Sequence, residues 1–327
     1  MLVDGLRLRG IEASVFDVGP GVVMLPDAPL AEAEAVLRAH PGIAHVGSPD
    51  SPYRLARREV VPEGSVVAIG GVAFGRGAFG VIAGPCAVES RAQILAAARA
   101  VVEAGAGVLR GGAFKPRTSP YAFQGLGLPG IDLLVEARAA TGLPFVTEVT
   151  DASQVEALYP HVDAFQVGAR NMQNYELLKV IGDGDKPVLL KRGPSATLEE
   201  WLLAAEYVLA GGNPRVILCE RGIRTFNRGT RYTLDLATMA LARRETHLPV
   251  IVDPSHATGD PDLVLPMARA ALAAGADGVI VEVHPAPAEA LSDGAQALVP
   301  AQLHAMVAEL EALAPVLGRA LSRPHRA

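Results

Sequence analysis

Residues 250–284 read VIVDPSHATGDPDLVLPMARAALAAGADGVIVEVH and contain one strand–helix–strand unit. A β-branched run at 250–254 is followed by an Ala/Leu-rich helical stretch at 261–274 and a second apolar run at 278–284. Two strands joined by a helix favour parallel pairing, because the helix returns the chain to the end of the sheet where the first strand began. The unit therefore predicts an α/β fold.

The same alternation extends back to residue 79. Further strands are predicted at 79–84, 108–112, 145–149, 164–168, 187–191 and 216–221, and further helices at 90–104, 130–141, 197–210 and 300–318. Eight such units in roughly 250 residues are the size of a (β/α)8 barrel, also called a TIM barrel. An open doubly wound sheet is the alternative, but no Gly-rich dinucleotide turn follows the first strand. We predict a catalytic barrel over residues 63–327.

The first 62 residues have a different pattern. Strand-like runs at 13–18, 21–26 and 43–48 surround a helical stretch at 29–39, and a linker with several prolines occupies 48–62. This pattern predicts part of a small α+β sandwich that precedes the barrel. At 65–79, two short strands around glycine turns predict a hairpin that covers the bottom of the barrel.

Composition excludes several classes of protein. The net charge of −6 argues against general nucleic-acid binding. Mean hydropathy is +0.27, yet every apolar run is shorter than the ~20 residues that a membrane helix needs. The N-terminus has Asp4 and no apolar core, so we expect no signal peptide. Two cysteines do not make a disulfide scaffold, so we expect a reducing cytoplasm.

Metal-ligand side chains stand at the ends of three predicted strands. Cys86 follows the first strand, His256 follows the seventh, and Glu282 lies near the end of the eighth, whose loop carries Asp293. In a closed barrel these strands are neighbours, so the four residues share one arc of the C-terminal face. Thiolate, imidazole and carboxylate suit Mn, Fe, Co or Zn better than Mg or Ca. Taken alone, Cys86 is compatible with a small buried core residue, and His256 with a loop histidine held by hydrogen bonds. Cys219 lies deeper in the sixth strand and is interpreted as a core residue without a chemical role.

The other strand ends are basic. They carry Arg110, Lys115, Arg117, Arg170, Lys191, Arg192 and Arg221. Period-two alternation directs Lys191 and Arg221 into the barrel. Cations gathered in a low-dielectric mouth repel each other unless an anion lies among them, which favours phosphate and carboxylate ligands over a ring of surface salt bridges. Glu148, at the end of the third strand, balances part of this charge or holds a water.

Seven segments together resemble 3-deoxy-D-arabino-heptulosonate 7-phosphate (DAHP) synthase, in its type I beta-like branch with an N-terminal ferredoxin-like domain. The matching segments are GPCAVES at 84–90, LRGGAFKPRTSPYAFQGLG at 109–127, QVGARNMQN at 166–174, LLKRG at 189–193, LCERGIRTF at 218–226, DPSHATG at 253–259 and VEVHPAP at 281–287. The family condenses phosphoenolpyruvate with erythrose 4-phosphate as the first step of the shikimate pathway.

The resemblance implies a role for each site residue. Cys86, His256, Glu282 and Asp293 are expected to bind one divalent metal ion, for which we expect Mn, with Fe, Co, Zn or Cd as alternatives. The residues expected to hold phosphoenolpyruvate are Arg110, Lys115, Gly168, Ala169, Arg170, Lys191 and Arg221, and Asp253 is also expected at the substrate. Arg117, Thr118 and Ser119 are expected to bind the phosphate of erythrose 4-phosphate, while Lys115, Glu148 and His256 are expected to act in catalysis.

The chain departs from the family at its N-terminus. The family's small domain begins with a strand and a full helix, whereas this chain starts at what resembles the middle of that helix. We therefore expect a truncated ferredoxin-like domain or a late start. In relatives this domain carries feedback inhibition by tyrosine or phenylalanine, which we do not carry over to this chain.

Two rival functions remain. 3-Deoxy-D-manno-octulosonate 8-phosphate synthase shares the barrel but has a KANRSS-like run where this chain has KPRTS at 115–119, which favours erythrose 4-phosphate over arabinose 5-phosphate. A non-catalytic phosphometabolite-binding barrel would be expected to have a replaced ligand or cation, and none is replaced. Relatives form tetramers or dimers, so we expect a homo-oligomer; a chorismate mutase partner is neither supported nor excluded.

Overall fold

A parallel barrel forms the body of the protein. The structure is a computed structural model that describes residues 6, 11–16, 22–24, 37–41, 43, 51–117 and 119–324. Its strands are β1 (Ser14–Phe16), β2 (Val22–Met24), β3 (Val67–Ile69), β4 (Val72–Phe74), β5 (Ala78–Gly84), β6 (Val108–Arg110), β7 (Phe145–Val149), β8 (Ala164–Val167), β9 (Val188–Lys191), β10 (Val216–Glu220), β11 (Val250–Val252), β12 (Gly278–Glu282) and β13 (Ala320–Ser322).

The strands from β5 to β12 pair in chain order, and the barrel closes where β12 pairs in parallel with β5. In that last ladder Gly278 is opposite Gly80 and Glu282 is opposite Gly84. Closure confirms the predicted (β/α)8 barrel and excludes the open sheet. A further parallel strand, β13, extends β5 at its first residues and was not predicted, because three residues are too short to show alternation.

Helices follow the strands and cover the outside of the barrel. They are α1 (Arg91–Ala104), α2 (Leu128–Thr141), α3 (Val155–Leu158), α4 (Tyr175–Gly182), α5 (Leu198–Ala210), α6 (Leu236–Glu245), α7 (Pro254–Thr258), α8 (Pro261–Ala273) and α9 (Pro300–Leu313). The Ser90 hydroxyl caps α1 by accepting from the Gln93 amide, and Gly105 ends it in the left-handed conformation. No helix in the described part of the chain is long and apolar enough to cross a bilayer.

A hairpin packs under the barrel. Strands β3 and β4 pair antiparallel, with Val67 opposite Phe74. The buried Phe74 ring fills the space that side chains at Gly80 and Gly278 would occupy; a Cβ on Gly80 would lie 2.1 Å from the ring. Val67 and Phe74 join Ile82 and Leu189 in the apolar core enclosed by the strands. The hairpin therefore fills the end of the barrel opposite the loops described below.

Little of the N-terminal segment is described. Strands β1 and β2 form an antiparallel pair, with Ser14 opposite Met24. Most of the predicted helix at 29–39 and all but residue 43 of the predicted strand at 43–48 lie outside the described residues. The ferredoxin-like domain and its boundary at residue 62 therefore stay predictions. Residues 53–56, within the predicted linker, are held against the barrel, where Glu206 accepts from the amides of Arg54 and Ala56 at 2.9 and 2.6 Å.

Candidate active site at the barrel mouth

The four predicted metal ligands meet at the C-terminal end of three adjacent strands. Cys86 follows β5, His256 lies in α7 directly after β11, Glu282 ends β12, and Asp293 stands in the loop after β12. One ligand atom from each residue lies within 4.8 Å of the other three. Because β12 pairs with both β11 and β5, closure of the barrel produces this juxtaposition. The predicted convergence of the four side chains is therefore confirmed, while their binding of a metal ion stays a prediction.

The two carboxylates are oriented by their neighbours. Glu282 is fully buried, and its Oε2 accepts from the Gln296 amide at 2.7 Å. Its Oε1 lies 3.2 Å from Nε2 of His256, without hydrogen-bond geometry to any group. Asp293 points Oδ2 toward Cys86 Sγ at 3.2 Å. Its backbone is left-handed, with φ of 54°, a conformation that aspartate tolerates better than most residues.

His256 is held by a carboxylate behind it. Nδ1 lies 2.7 Å from Oδ2 of Asp253, which is within ion-pair distance, although the approach lies outside hydrogen-bond angles. The same Oδ2 accepts from the Lys191 ammonium at 2.5 Å. Burial lowers the pKa of His256 despite the two nearby carboxylates, so the ring is neutral at pH 7. A proton on Nδ1, facing Asp253, leaves the Nε2 lone pair directed at the cluster.

The donor set fits a divalent transition metal. In the absence of a cation, burial and then Glu282 raise the pKa of Cys86 to about 12, so the thiol is neutral and donates to Asp293. A buried Oε1 without a hydrogen bond, facing the Nε2 lone pair of His256, is an arrangement that a positive ion would stabilise. Sulfur, nitrogen and two oxygens match the ligand preferences of first-row divalent ions.

Cations line the rest of the mouth, beginning directly beside the cluster. Arg110 is buried with Nη2 at 3.2 Å from Glu282 Oε1 and has no partner on Nη1. Lys115 lies 3.2 Å from Glu148 Oε2, and both side chains are about 8% exposed. Burial opposes the charge of Lys115, but Cys86 (once deprotonated) and Glu148 outweigh it and raise the lysine pKa, so the ammonium stays charged.

The predicted substrate residues surround one cavity of about 460 Å³. Its wall includes Arg110, Lys115, Arg117, Ser119, Glu148, Gly168, Ala169, Arg170, Lys191, Arg221, His256 and Asp293. Thr118 lies outside the described residues. Asp253 does not line the cavity but stands behind His256 and Lys191.

Arg192 does not belong with the other basic strand ends in the cavity wall, contrary to the interpretation from the sequence. It follows Lys191 directly, but alternation turns it out of the barrel, where it binds Glu220 and Asp235 at 2.9 and 3.0 Å. Glu220 in turn accepts from the amides of Gly222 and Asp235 at 2.7 and 3.3 Å. This buried cluster holds both ends of the loop at 221–235. Arg192 is therefore a support for the loop and not a member of the cavity wall.

That loop adds residues that the sequence interpretation missed. Arg224, Arg231 and Tyr232 line the cavity, as does Gln166 at the end of β8. The Arg221 guanidinium stacks on the Tyr232 ring, 4.4 Å from its centre. Burial opposes ionisation of this phenol, but Arg221 outweighs it and lowers the pKa of Tyr232. Gln166 could have been found from the sequence, since it lies on the same face of its strand as Ala164, which packs in the barrel interior. The loop residues follow no periodicity.

The loop that carries Asp293 is anchored to the loop after β5. Glu89 accepts from the Leu291 amide at 2.9 Å, and its other oxygen lies 3.4 Å from His284 Nε2. Nδ1 of His284 accepts from the Ala286 amide at 3.0 Å, so the ring proton is on Nε2 and faces Glu89. Both side chains are less than 10% exposed. Glu89, whose role was not predicted, therefore ties the Asp293 loop to the Cys86 loop.

The sequence of the barrel matches a protein family and several of its relatives. The profile described as the DAHP synthetase I family matches residues 57–316. A Phospho-2-dehydro-3-deoxyheptonate aldolase of Thermotoga maritima is 51% identical over 267 residues, which are 82% of this chain and 79% of the relative. A 2-dehydro-3-deoxyphosphooctonate aldolase of Syntrophotalea carbinolica is 36% identical over 251 residues, or 71% of this chain and 90% of the relative.

The likeness extends to three dimensions. The crystal structure of a Phospho-2-dehydro-3-deoxyheptonate aldolase (DAHP synthase) from Thermotoga maritima, at 1.92 Å resolution, matches with a TM-score of 0.82 and 43% identity. The match covers 98% of this chain and 94% of that one. Since the profile spans most of the chain and the heptonate aldolase is similar in both sequence and structure, the chain belongs to the DAHP synthetase I family, as its strand-end motifs predict.

Proposed function

We propose that this chain condenses phosphoenolpyruvate with D-erythrose 4-phosphate and water, giving DAHP and inorganic phosphate. The observation that carries the proposal is the meeting of two unlike half-sites: a four-ligand cluster and a cation-lined wall border one cavity of about 460 Å³. A reaction that joins an aldehyde to a phosphorylated, carboxylated enol needs both, since one partner must be polarised and the other held as an anion.

The cations are assigned to the anionic groups of two substrates. Arg110, Lys115, Arg170, Lys191 and Arg221 hold the carboxylate and phosphate of phosphoenolpyruvate, with the backbone at Gly168 and Ala169 against the phosphate. Arg117, Thr118 and Ser119 hold the phosphate of erythrose 4-phosphate. In support, every described member of these two sets lines the cavity. Arg110 offers a buried Nη1 that lacks a partner, and a bound carboxylate or phosphate oxygen satisfies such a donor.

One divalent cation is assigned to Cys86, His256, Glu282 and Asp293. When bound, such an ion would supply a Lewis acid for the aldehyde oxygen of erythrose 4-phosphate. The mixed ligands favour Mn, Fe, Co, Zn or Cd over Mg or Ca, and we propose Mn as the ion used. Asp253 acts from behind, since its carboxylate keeps the His256 proton on Nδ1 and accepts a hydrogen bond from Lys191.

Lys115 and Glu148 are assigned to the water step. Carbon 3 of phosphoenolpyruvate attacks the aldehyde carbon, which leaves carbon 2 electron-poor; water adds there, and the resulting hemiketal phosphate loses inorganic phosphate. Glu148 accepts the proton of the attacking water, and Lys115 holds the carboxylate in place from 3.2 Å. Gly168 permits this position, because a Cβ there would lie 2.1 Å from Glu148 Oε1.

The assay should compare two acceptors. The metal-loaded enzyme is given phosphoenolpyruvate with either erythrose 4-phosphate or arabinose 5-phosphate, and phosphate release and product mass are followed. The account predicts turnover with the four-carbon aldehyde and at least about tenfold lower kcat/KM with the five-carbon one, a difference of about 1.4 kcal/mol. Preference for arabinose 5-phosphate would favour the octulosonate alternative, and absence of turnover with both would favour a binding protein.

The assembly is proposed to be a tetramer or dimer, which sizing by light scattering tests. The proposed location is cytoplasmic.

A further inference from the structure

Arg231 and Gln296 contact the metal cluster from outside. The Arg231 guanidinium donates to the side-chain oxygen of Gln296 at 2.7 Å and approaches Asp293 Oδ1 at 3.5 Å. Gln296 uses its other end to donate to Glu282 Oε2 at 2.7 Å. Gln296 is buried, whereas the Arg231 side chain is 35% exposed at the edge of the cavity. A continuous chain of hydrogen bonds therefore runs from the cavity rim to a buried carboxylate.

These contacts select one oxygen of each carboxylate. Glu282 has Oε2 engaged by Gln296, and its Oε1 lies 3.2 Å from both His256 Nε2 and Arg110 Nη2, without hydrogen-bond geometry. Asp293 has Oδ1 engaged by Arg231, and its Oδ2 faces Cys86. In both residues the engaged oxygen is the outer one and the remaining oxygen points into the cluster. Hydrogen bonds of this kind fix the rotation of a carboxylate before an ion arrives.

Arg231 is itself fixed by backbone contacts. Its amide donates to the Thr258 carbonyl at 2.9 Å, and the next amide, of Tyr232, donates to Ala257 at 2.7 Å. These two carbonyls belong to α7, the helix that carries His256. The other end of the same loop carries Arg221, which stacks on Tyr232. The loop thus borders the cation-lined wall on one side. On the other side it contacts the helix that carries His256, Asp293 itself, and Gln296, which holds Glu282.

We propose that Arg231 and Gln296 are positioning residues that hold Glu282 and Asp293 in their ligating orientation, and so link the loop at 221–235 to the metal centre. The inference rests on the proposed metal site. Arg231 also lines the cavity, so the competing interpretation is that it only binds substrate phosphate. The two roles differ in one respect: a positioning role affects the bound metal when no substrate is present.

The experiment measures metal binding without substrate. Chelator-stripped enzyme competes with a fluorescent chelator for Mn²⁺ and Co²⁺, and the ligand-field spectrum of the Co²⁺ form is recorded. Arg231→Ala and Gln296→Leu are each expected to weaken binding about 10- to 100-fold and to alter the Co²⁺ spectrum. Arg231→Lys keeps a donor and is expected to lose less than Arg231→Ala. Arg228→Ala, an exposed arginine of the same loop, is the matched control and should bind like the wild type.

Each outcome decides between the interpretations. Wild-type affinity and an unchanged Co²⁺ spectrum in Arg231→Ala, together with a raised KM for either substrate, would overturn the positioning role and assign Arg231 to substrate. Gln296 is buried, so the test at Arg231 replaces the Gln296→Leu protein if that protein does not fold. The Arg231 side chain is 35% exposed, and Arg231→Ala alone then decides. If the wild type itself binds no ion, or Cys86→Ser binds as the wild type does, then the metal site fails and the inference falls with it.

Discussion

Cys86 Sγ lies 3.2 Å from Asp293 Oδ2, although the two residues are more than two hundred positions apart in the chain. In the absence of a cation, burial and neighbouring carboxylates hold the pKa of this thiol at about 12. A cation must therefore displace the thiol proton, and the sulfur then supplies the softest ligand of the cluster. Removing it should weaken binding of a first-row ion more than removing an outer hydrogen bond does.

Cys86→Ser is expected to lower Mn²⁺ and Co²⁺ affinity by more than about 100-fold, the upper range for outer contacts. It should also abolish the sulfur-to-cobalt charge-transfer band. Cys219→Ser is the matched control, since Cys219 is equally buried but lies within the barrel interior. Equal metal affinity in the two variants would remove Cys86 from the metal site.

Gly168→Ala tests the position of Glu148. The glycine has ordinary backbone angles, φ −66° and ψ 156°, so alanine adds no backbone strain. Its methyl group would lie 2.1 Å from Glu148 Oε1 and must displace that carboxylate. We expect kcat to fall about 100-fold, the scale of a displacement of about 1 Å, while the protein still folds. Gly193→Ala, whose methyl group meets nothing closer than 3.4 Å, should retain activity.

Substitutions in the two proposed phosphate subsites should raise the KM of different substrates. Arg117→Ala is expected to raise KM for erythrose 4-phosphate, and Arg221→Ala to raise KM for phosphoenolpyruvate, each by about 10- to 100-fold, the value of a hydrogen bond to a charged group. Each variant should leave the other substrate's KM within about threefold of the wild type. Initial rates over a matrix of both substrates measure this. A rise in the same KM in both variants would contradict the division.

His247 gives a pH dependence that is independent of the metal site. Burial lowers its pKa from 6.5 to about 4, and the neutral ring is satisfied by accepting from Ser65 at 2.7 Å and donating to the Leu55 carbonyl at 2.9 Å. Between those two pH values the unfolded chain binds more protons, so stability rises with pH through this window. The contribution is complete above about pH 6.5 and is lost as pH falls toward 4.

The wild type is expected to lose on the order of 3 kcal/mol from this group between pH 7 and pH 4. His247→Gln keeps one donor and one acceptor but does not titrate, so its stability should fall less over the same interval. Urea midpoints at both pH values measure the difference. Parallel pH dependence in the two proteins would show that His247 does not contribute.

The sequence predicts the metal cluster well because a closed barrel leaves little freedom at strand ends. Once β12 is taken to pair with β5, Cys86 and Glu282 must lie on adjacent strands, and His256 follows on the next. Lys191 could likewise be assigned to the interior, since Leu189 on the same face packs in the core that the strands enclose. The predicted bounds of the eight barrel strands agree with the structure within two residues.

Loop contacts could not be predicted in this way. Arg231 and Gln296 lie in irregular segments where no periodicity indicates a direction, and their partners come from other loops. Arg192 and Lys191 share a strand end, yet alternation directs their side chains to opposite sides of the strand, so a common position in the sequence does not predict a common site. The N-terminal segment gave two strands as expected, but its fold depends on contacts among residues that lie mostly outside the described part.

The most direct measurement is a metal titration of the chelator-stripped enzyme in the erythrose 4-phosphate assay, with bound metal determined in parallel. The account predicts no DAHP formation in the stripped enzyme. Activity should return in proportion to bound divalent ion and reach its plateau at one ion per chain. Full activity after chelation, in protein shown to contain no metal, would contradict the central claim that one cation held by these four side chains is required for the condensation.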